Sequence, residues 1–135
     1  MWYRQLTYAL GMVTALALPG CGEGDEGSPT MKPGEVCLSC HGSGEERLTA
    51  AGTAFTGASS STPLVGGTVS IVDDAGKQVS LTTNSAGNFY TSESLTFPIT
   101  VVVSDGTRDA TMVSGASSGD CNGCHSSSGS AMARI

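Results

Sequence analysis

Two short motifs of the same pattern contain most of the side chains in this sequence that could do chemistry. The first motif is Cys37-Leu38-Ser39-Cys40-His41, and the second motif is Cys121-Asn122-Gly123-Cys124-His125. Together they use four of the five cysteines and both histidines of the chain. Thiolates are nucleophiles and metal ligands, and imidazole nitrogen is a common metal ligand. The pattern therefore predicts two sites, each with a pair of thiols and an adjacent imidazole.

The Cys-x-x-Cys-His spacing is the attachment signature of c-type haem. In that chemistry two thiols add to the vinyl groups at one edge of the porphyrin, and the following His binds the iron. The chain resembles a di-haem c-type cytochrome lipoprotein, which implies electron transfer between redox partners in the cell envelope. The resemblance implies two covalently bound haem c groups, with thioethers at Cys37, Cys40, Cys121 and Cys124 and proximal iron ligands at His41 and His125.

Other uses of the cysteines stay open. As two Cys-x-x-Cys pairs they could form a structural Cys₄ zinc site, which leaves the His after each pair unexplained. Each pair could instead be a short disulfide or a redox dithiol, although no βαβ pattern of a thioredoxin-like enzyme is present. In a further alternative the protein is a surface binding or adhesion module, in which the cysteines are only structural.

The distal face of each iron needs a ligand that is not histidine, because both histidines are already used. Methionine thioether is a soft ligand that raises the reduction potential. Met112 lies nine residues before Cys121, and Met31 lies six residues before Cys37, so these two methionines are the candidate distal ligands. The alternatives are Met132, deprotonated Lys32 or Lys77, a ligand from a partner chain, and an iron with no distal ligand. An open iron predicts a haem enzyme or sensor for peroxide or a small gas.

Residues 1–20 have the pattern of a signal peptide. One base, Arg4, precedes an uncharged stretch whose apolar core is Ala9–Leu18. That core has the length of a signal-peptide h-region and is too short for a membrane span. The segment therefore predicts export.

The residues that follow bear on how the exported chain is held. Leu18-Pro19-Gly20-Cys21 resembles the lipobox of bacterial lipoproteins, which implies that Cys21 is lipidated and anchors the chain in a membrane. Since Gly22 rather than Asp follows the cysteine, the outer membrane is favoured, with the protein facing the periplasm or the cell surface. The alternative is cleavage after Ala17, which would leave Cys21 as a free thiol.

Residues 53–113 have a β pattern. Val69 and Ile71 alternate with polar residues, as do Val79 and Leu81, and Ile99–Val103 is an apolar run that predicts a strand covered on both faces. Turn signals lie at 73–76, 84–87 and 105–106. The pattern predicts a mainly β fold, a small antiparallel β-sandwich of about six strands with little helix outside the signal peptide.

Gly66–Tyr90 looks like the carboxypeptidase-regulatory or transthyretin-like sandwich module, which implies a fold and not a reaction. The two motifs then flank one β module. The predicted organisation is a signal peptide at 1–20, a lipid-anchored flexible tether at 21–35, a first haem segment at 36–52, the β-sandwich at 53–113, and a second haem segment with a tail at 114–135.

The composition limits the partners and the core. Twelve acidic and six basic residues give a net charge of −6, which argues against nucleic acid and favours a redox partner with a positive patch. Beyond the signal segment the aromatic residues are only Phe55, Phe89, Tyr90 and Phe97. A chain with so few large apolar groups has little to bury, and two covalent macrocycles would supply apolar area.

Overall fold

The computed structural model describes residues 28–30 and 32–126. Within those ranges the chain forms six short strands and two one-turn helices. In chain order they are α1 (Leu38–His41), β1 (Ala50–Thr53), β2 (Thr68–Val72), β3 (Gln78–Thr82), β4 (Asn88–Thr91), β5 (Thr100–Ser104), β6 (Asp109–Thr111) and α2 (Cys121–Cys124).

The strands make two antiparallel sheets. One sheet pairs β1 with β4, and the other has the order β3-β2-β5-β6. Their apolar side chains share one core, which contains Phe89 of β4 and Val69 and Ile71 of β2. The prediction of a mainly β fold with antiparallel strands and little helix is confirmed for the described residues.

Strand β2 has the burial pattern that the sequence predicts, whereas β5 does not. In β2, Val69 and Ile71 are fully buried, and the two end residues of the strand are exposed. In β5, Val101 and Val103 are buried but Val102 is only half-buried. The prediction of a strand covered on both faces is therefore wrong. Successive side chains point to opposite faces of a sheet, and only one face of β5 lies in the core.

The boundaries of the β module differ from the predicted ones at its N-terminal side. Strand β1 begins at Ala50, inside the segment assigned to the first motif. Part of the predicted tether is also bound to the module, because the Pro29 carbonyl accepts from the side-chain amides of Asn84 and Asn88, and Gly34 N donates to Thr53 Oγ1 at 2.8 Å. No helix within the described ranges is long and apolar enough to cross a membrane.

The Asp73 side chain connects the β2–β3 turn to the segment that precedes β5. Its carboxylate accepts from Lys77 N at 2.7 Å, within the β2–β3 turn, and from Thr96 N at 2.9 Å, in the segment before β5. The side chain is 6% exposed. These backbone donors, that of Thr96 first, hold the pKa of Asp73 below its usual value.

We expect Asp73→Asn to lower the free energy of unfolding at pH 7, because a neutral amide accepts these bonds less strongly than a carboxylate. A lowered folded pKa means that the stabilisation is present above the unfolded value of about 3.8 and is lost as the pH falls through the folded value. Urea unfolding should therefore separate variant and parent at pH 7, and the difference should shrink progressively as the pH falls below about 3.8. Asp74→Asn, at an exposed neighbour, is the control. A pH-independent difference would contradict this account.

Candidate functional site

Most of the predicted site residues lie within the described part of the chain. Both motifs and Met112 are included, whereas Cys21, Met31 and Met132 lie outside the described residues. Cys37, Cys121 and Cys124 carry free thiols. The Cys40 sulfur is held in a disulfide.

The second motif forms one helical turn. His125 N donates to Cys121 O at 2.8 Å, and the Asp120 carboxylate accepts from Gly123 N at 3.3 Å and caps the turn. Residues three and four apart are neighbours on the surface of a helix. The turn therefore brings the backbone at His125 next to Cys121, one turn earlier in the chain.

This turn packs closely on β1 because two glycines lie at the contact, Gly52 in β1 and Gly119 just before α2. Ala51 N donates to Gly119 O at 2.9 Å. A Cβ added at Gly52 would lie 2.7 Å from Cys121 Cβ and 2.7 Å from the Phe89 ring. A Cβ at Gly119 would overlap the Thr49 carbonyl oxygen. Helix α2 can lie directly on the backbone of β1 only because Gly52 and Gly119 leave that space.

Cys121, Cys124 and His125 line a cavity of about 780 Å³, which we call the larger cavity. Its volume is in the range of small-molecule and cofactor sites, about 300–1,000 Å³. Apolar side chains form much of its wall; they include Phe55, Leu64, Ile99, Val101 and Val103. The larger cavity is thus a largely apolar space whose lining includes both cysteines and the histidine of the second motif, together with the charged residues Asp105, Arg108, Asp109 and Asp120.

Met112 lines the same cavity. Its backbone N donates to Val101 O at 3.0 Å, which extends the β5–β6 pairing by one residue and holds Met112 against β5. The side chain is half-buried and packs against the core. The structure therefore brings Met112 together with the second motif.

The first motif is more open to solvent. Helix α1 contains no buried residue, and Cys40 is exposed. His41 lines a separate cavity of about 370 Å³, the smaller cavity, with Leu48 and Tyr90. Leu48 N donates to His41 O at 2.8 Å and fixes the chain that leaves α1. The two histidines therefore lie in different cavities, and Met112 does not line the one that contains His41.

Asn122 joins the two motifs. Its side chain is 0% exposed, and Nδ2 donates to Glu35 O at 2.7 Å and lies 3.7 Å from Cys37 Sγ. Its Oδ1 accepts from Thr53 N at 3.0 Å. We call Asn122, Glu35, Cys37 and Thr53 the Asn122 joint. The sequence does not predict these contacts, because the motif pattern assigns no role to the residues between its two cysteines.

The leading cysteines of both motifs are shielded from water. Burial, and next the nearby Asp120 charge, raise the pKa of Cys37 to about 11. Burial, followed by the nearby Cys37 and Asp120, raises the pKa of Cys121 to about 12. Both thiols are therefore neutral at pH 7 in the unmodified chain. The effect of Cys37 on the pKa of Cys121 also shows that the two leading cysteines lie near each other, although they are far apart in the sequence.

We expect the unmodified chain to lose stability at alkaline pH. A raised folded pKa means that the stabilisation is complete below the unfolded value of about 9 and is lost as the pH rises toward 11 and 12. Chemical unfolding between pH 8 and pH 11 should show this fall, and it should be shallower in the Cys37→Ser, Cys121→Ser double variant. Cys124→Ser, at an exposed thiol, is the control. Parallel curves for parent and double variant would contradict it.

Among the residues that the structure describes, no group of three or more His, Cys, Asp or Glu side chains is arranged to hold a metal ion. No protein-family model, no curated protein and no solved structure matches this chain.

Proposed function

We propose that the protein is an exported di-haem c-type cytochrome that carries electrons between redox partners in the cell envelope. The observation that supports this most directly is the larger cavity. One largely apolar space of about 780 Å³ has both cysteines and the histidine of a Cys-x-x-Cys-His motif, and a methionine, among its lining residues. Haem c uses that donor set: two thioethers, a proximal His and, in many cytochromes, a distal Met.

The larger cavity has one residue for each role that haem c requires: two cysteines, a histidine and a methionine. Cys121 and Cys124 would hold the porphyrin through thioethers, and His125 and Met112 would ligate the iron. Ile99, Val101 and Val103 would exclude water from the ring, which together with the methionine ligand favours a high potential. The bound haem would supply one-electron exchange between ferric and ferrous iron.

Cys37, Cys40 and His41 would hold the second haem at the first motif. Thioether formation needs a free thiol, so a two-electron thiol reductant would first have to cleave the disulfide at Cys40 and return its sulfur to the thiol form. Met31 is the proposed distal ligand at this site. The open surroundings of α1 make this site the more accessible of the two for electron exchange with another protein.

The remaining proposals concern the place and the partner. Lipidation of Cys21 would anchor the protein in the envelope, with the outer membrane favoured. The net charge of −6 supports a redox partner with a positive patch and gives no support to nucleic acid binding. Association with such a partner should be fast at low ionic strength and should slow as salt is added.

Intact mass and an absorption spectrum test the proposal together. The protein should be made in a bacterium with haem-attachment machinery, and we expect two porphyrin additions and sharp, reducible c-type bands. A Cys121→Ser, Cys124→Ser control should carry one porphyrin. A mass equal to the amino acids and any lipid, with no visible bands, would overturn it. Normal folding in a host without that machinery would favour a surface binding module instead, and rapid binding of carbon monoxide by the parent would favour a sensor or enzyme.

A further inference from the structure

We infer that the form of the protein with a disulfide at Cys40 holds haem at the second motif alone, and that its first motif instead completes the Asn122 joint, which positions helix α2. The inference rests on the proposed function for the second motif. It limits that function at the first motif, where the described residues do not fit haem c.

The donor groups of the first motif do not share one space. The Cys40 sulfur is held in a disulfide and therefore offers no thiol to a porphyrin vinyl group. His41 lines the smaller cavity with Leu48 and Tyr90, and of the described residues neither Cys37 nor Cys40 lines it. Haem c needs both thiols and the imidazole at one ring. The first motif therefore has the sequence of a haem site without its arrangement.

The second motif differs on each of these points. Cys121 and Cys124 carry free thiols, and both line the larger cavity with His125 and Met112. That cavity has a volume of about 780 Å³, against about 370 Å³ for the smaller one. Attachment at the second motif thus needs no prior cleavage of a disulfide, and the two motifs are not equivalent.

Cys37 has a different use in this form of the protein. Its sulfur lies 3.7 Å from Nδ2 of Asn122, and the same Nδ2 donates to the Glu35 carbonyl oxygen at 2.7 Å. Oδ1 of Asn122 accepts from Thr53 N at 3.0 Å. Asn122 is the buried residue of α2 and is 0% exposed. The Asn122 joint therefore connects α2 both to residues 35–37 and to β1.

Helix α2 needs these contacts because it is only one turn long. A single turn has few internal hydrogen bonds to offset the entropy that is lost when its backbone is ordered. The Asn122 amide supplies buried bonds to a partner that is itself fixed. Thr53 Oγ1 accepts from Gly34 N at 2.8 Å and donates to Asn88 Oδ1 at 2.8 Å. The joint is therefore what holds the second motif in place on the β module.

Intact mass of the parent protein tests the haem count. The full chain is made in a bacterium with haem-attachment machinery, with and without a small dithiol in the medium, and thiols are blocked with iodoacetamide before lysis. Without the dithiol we expect one porphyrin, on the peptide that contains Cys121 and Cys124, and a Cys40 sulfur that iodoacetamide does not label. The dithiol is oxidised to its own disulfide as it returns Cys40 to the thiol, so the two porphyrin additions should be found only when it is present.

The Asn122 joint is tested in the same one-haem protein, through the Cys37 thiol. Asn122→Leu keeps the volume and removes the amide that holds residues 35–37 to α2. We expect iodoacetamide to label Cys37 about tenfold faster, because the loss of buried hydrogen bonds favours local opening. The fraction of chains with a porphyrin at the second motif should fall as well. Ser39→Ala is the matched control, because its hydrogen bond to Val36 O at 2.6 Å is exposed.

Two porphyrins in chains made without the dithiol, or a Cys40 sulfur that is labelled without prior reduction, would overturn the inference and leave the proposed function in place. Equal labelling of Cys37 in the parent and in Asn122→Leu would also overturn it. The mass of the parent decides the haem count even if the leucine variant does not fold. A chain that carries no porphyrin under either condition would overturn the proposed function instead.

Discussion

If the second motif holds haem as proposed, replacement of Met112 by alanine is expected to lower the reduction potential at that site and to open its iron to carbon monoxide. Met112 lines the larger cavity with Cys121, Cys124 and His125 and is held against β5 by its backbone bond to Val101. A thioether ligand favours ferrous iron, so its loss should make reduction at least about tenfold less favourable, about 59 mV. The sulfur–iron charge-transfer band should disappear at the same time.

Two variants control for effects other than ligation. Val65→Ala shortens an exposed valine that does not line the larger cavity, and it should leave the potential and the carbon monoxide response unchanged. Met31→Ala removes the candidate ligand of the other haem and should not affect the second site. If Met112→Ala keeps the parent potential and still excludes carbon monoxide, another group ligates this iron.

Gly52→Ala is expected to displace the second motif from β1 and to reduce haem occupancy there. The new Cβ would lie 2.7 Å from Cys121 Cβ and from the Phe89 ring, closer than carbon atoms approach in folded proteins. Overpacking of this kind costs about 1–3 kcal/mol. Because the same helix carries Asn122, the stability of the whole module should fall along with the second-site haem content.

Gly57→Ala is the matched control, because a Cβ there meets nothing within 4 Å. Thermal unfolding and porphyrin content by intact mass measure both variants. Equal stability and equal haem content in Gly52→Ala and Gly57→Ala would show that α2 does not depend on the close approach to β1.

The part of the fold that the sequence predicts is the part with a local signal. Val69 and Ile71 alternate with polar neighbours, and Asn84–Gly87 contains residues that favour turns, so strands and turns are found where they are expected. Strand β1 has no such signal, because its Ala-Ala-Gly-Thr sequence is buried along its whole length. Its small residues are needed because α2 and Phe89 lie directly on it, and that requirement comes from residues far away in the chain.

The candidate site divides in the same manner. The motif spacing predicts which thiols and imidazoles belong together, since three residues of one helical turn are enough to place them. It does not predict that Met112 shares a cavity with His125, which depends on the β5–β6 pairing. Nor does it predict the contact between Asn122 and Cys37, two residues that are 85 positions apart. Such a contact depends on the hydrogen bonds that join both Asn122 and Gly34 to Thr53 of β1, not on any local preference.

The hydrogen bonds that bind residues 29–35 to the β module also limit how far the protein can stand from a membrane. If Cys21 carries the lipid, only the chain between Cys21 and Ser28 separates the bilayer surface from the first described residue. At about 3.3–3.6 Å for each extended residue, that distance is at most about 25 Å. If it also carries haem as proposed, the protein would then work close to the lipid headgroups, and a soluble redox partner would have to approach the bilayer to exchange electrons with it.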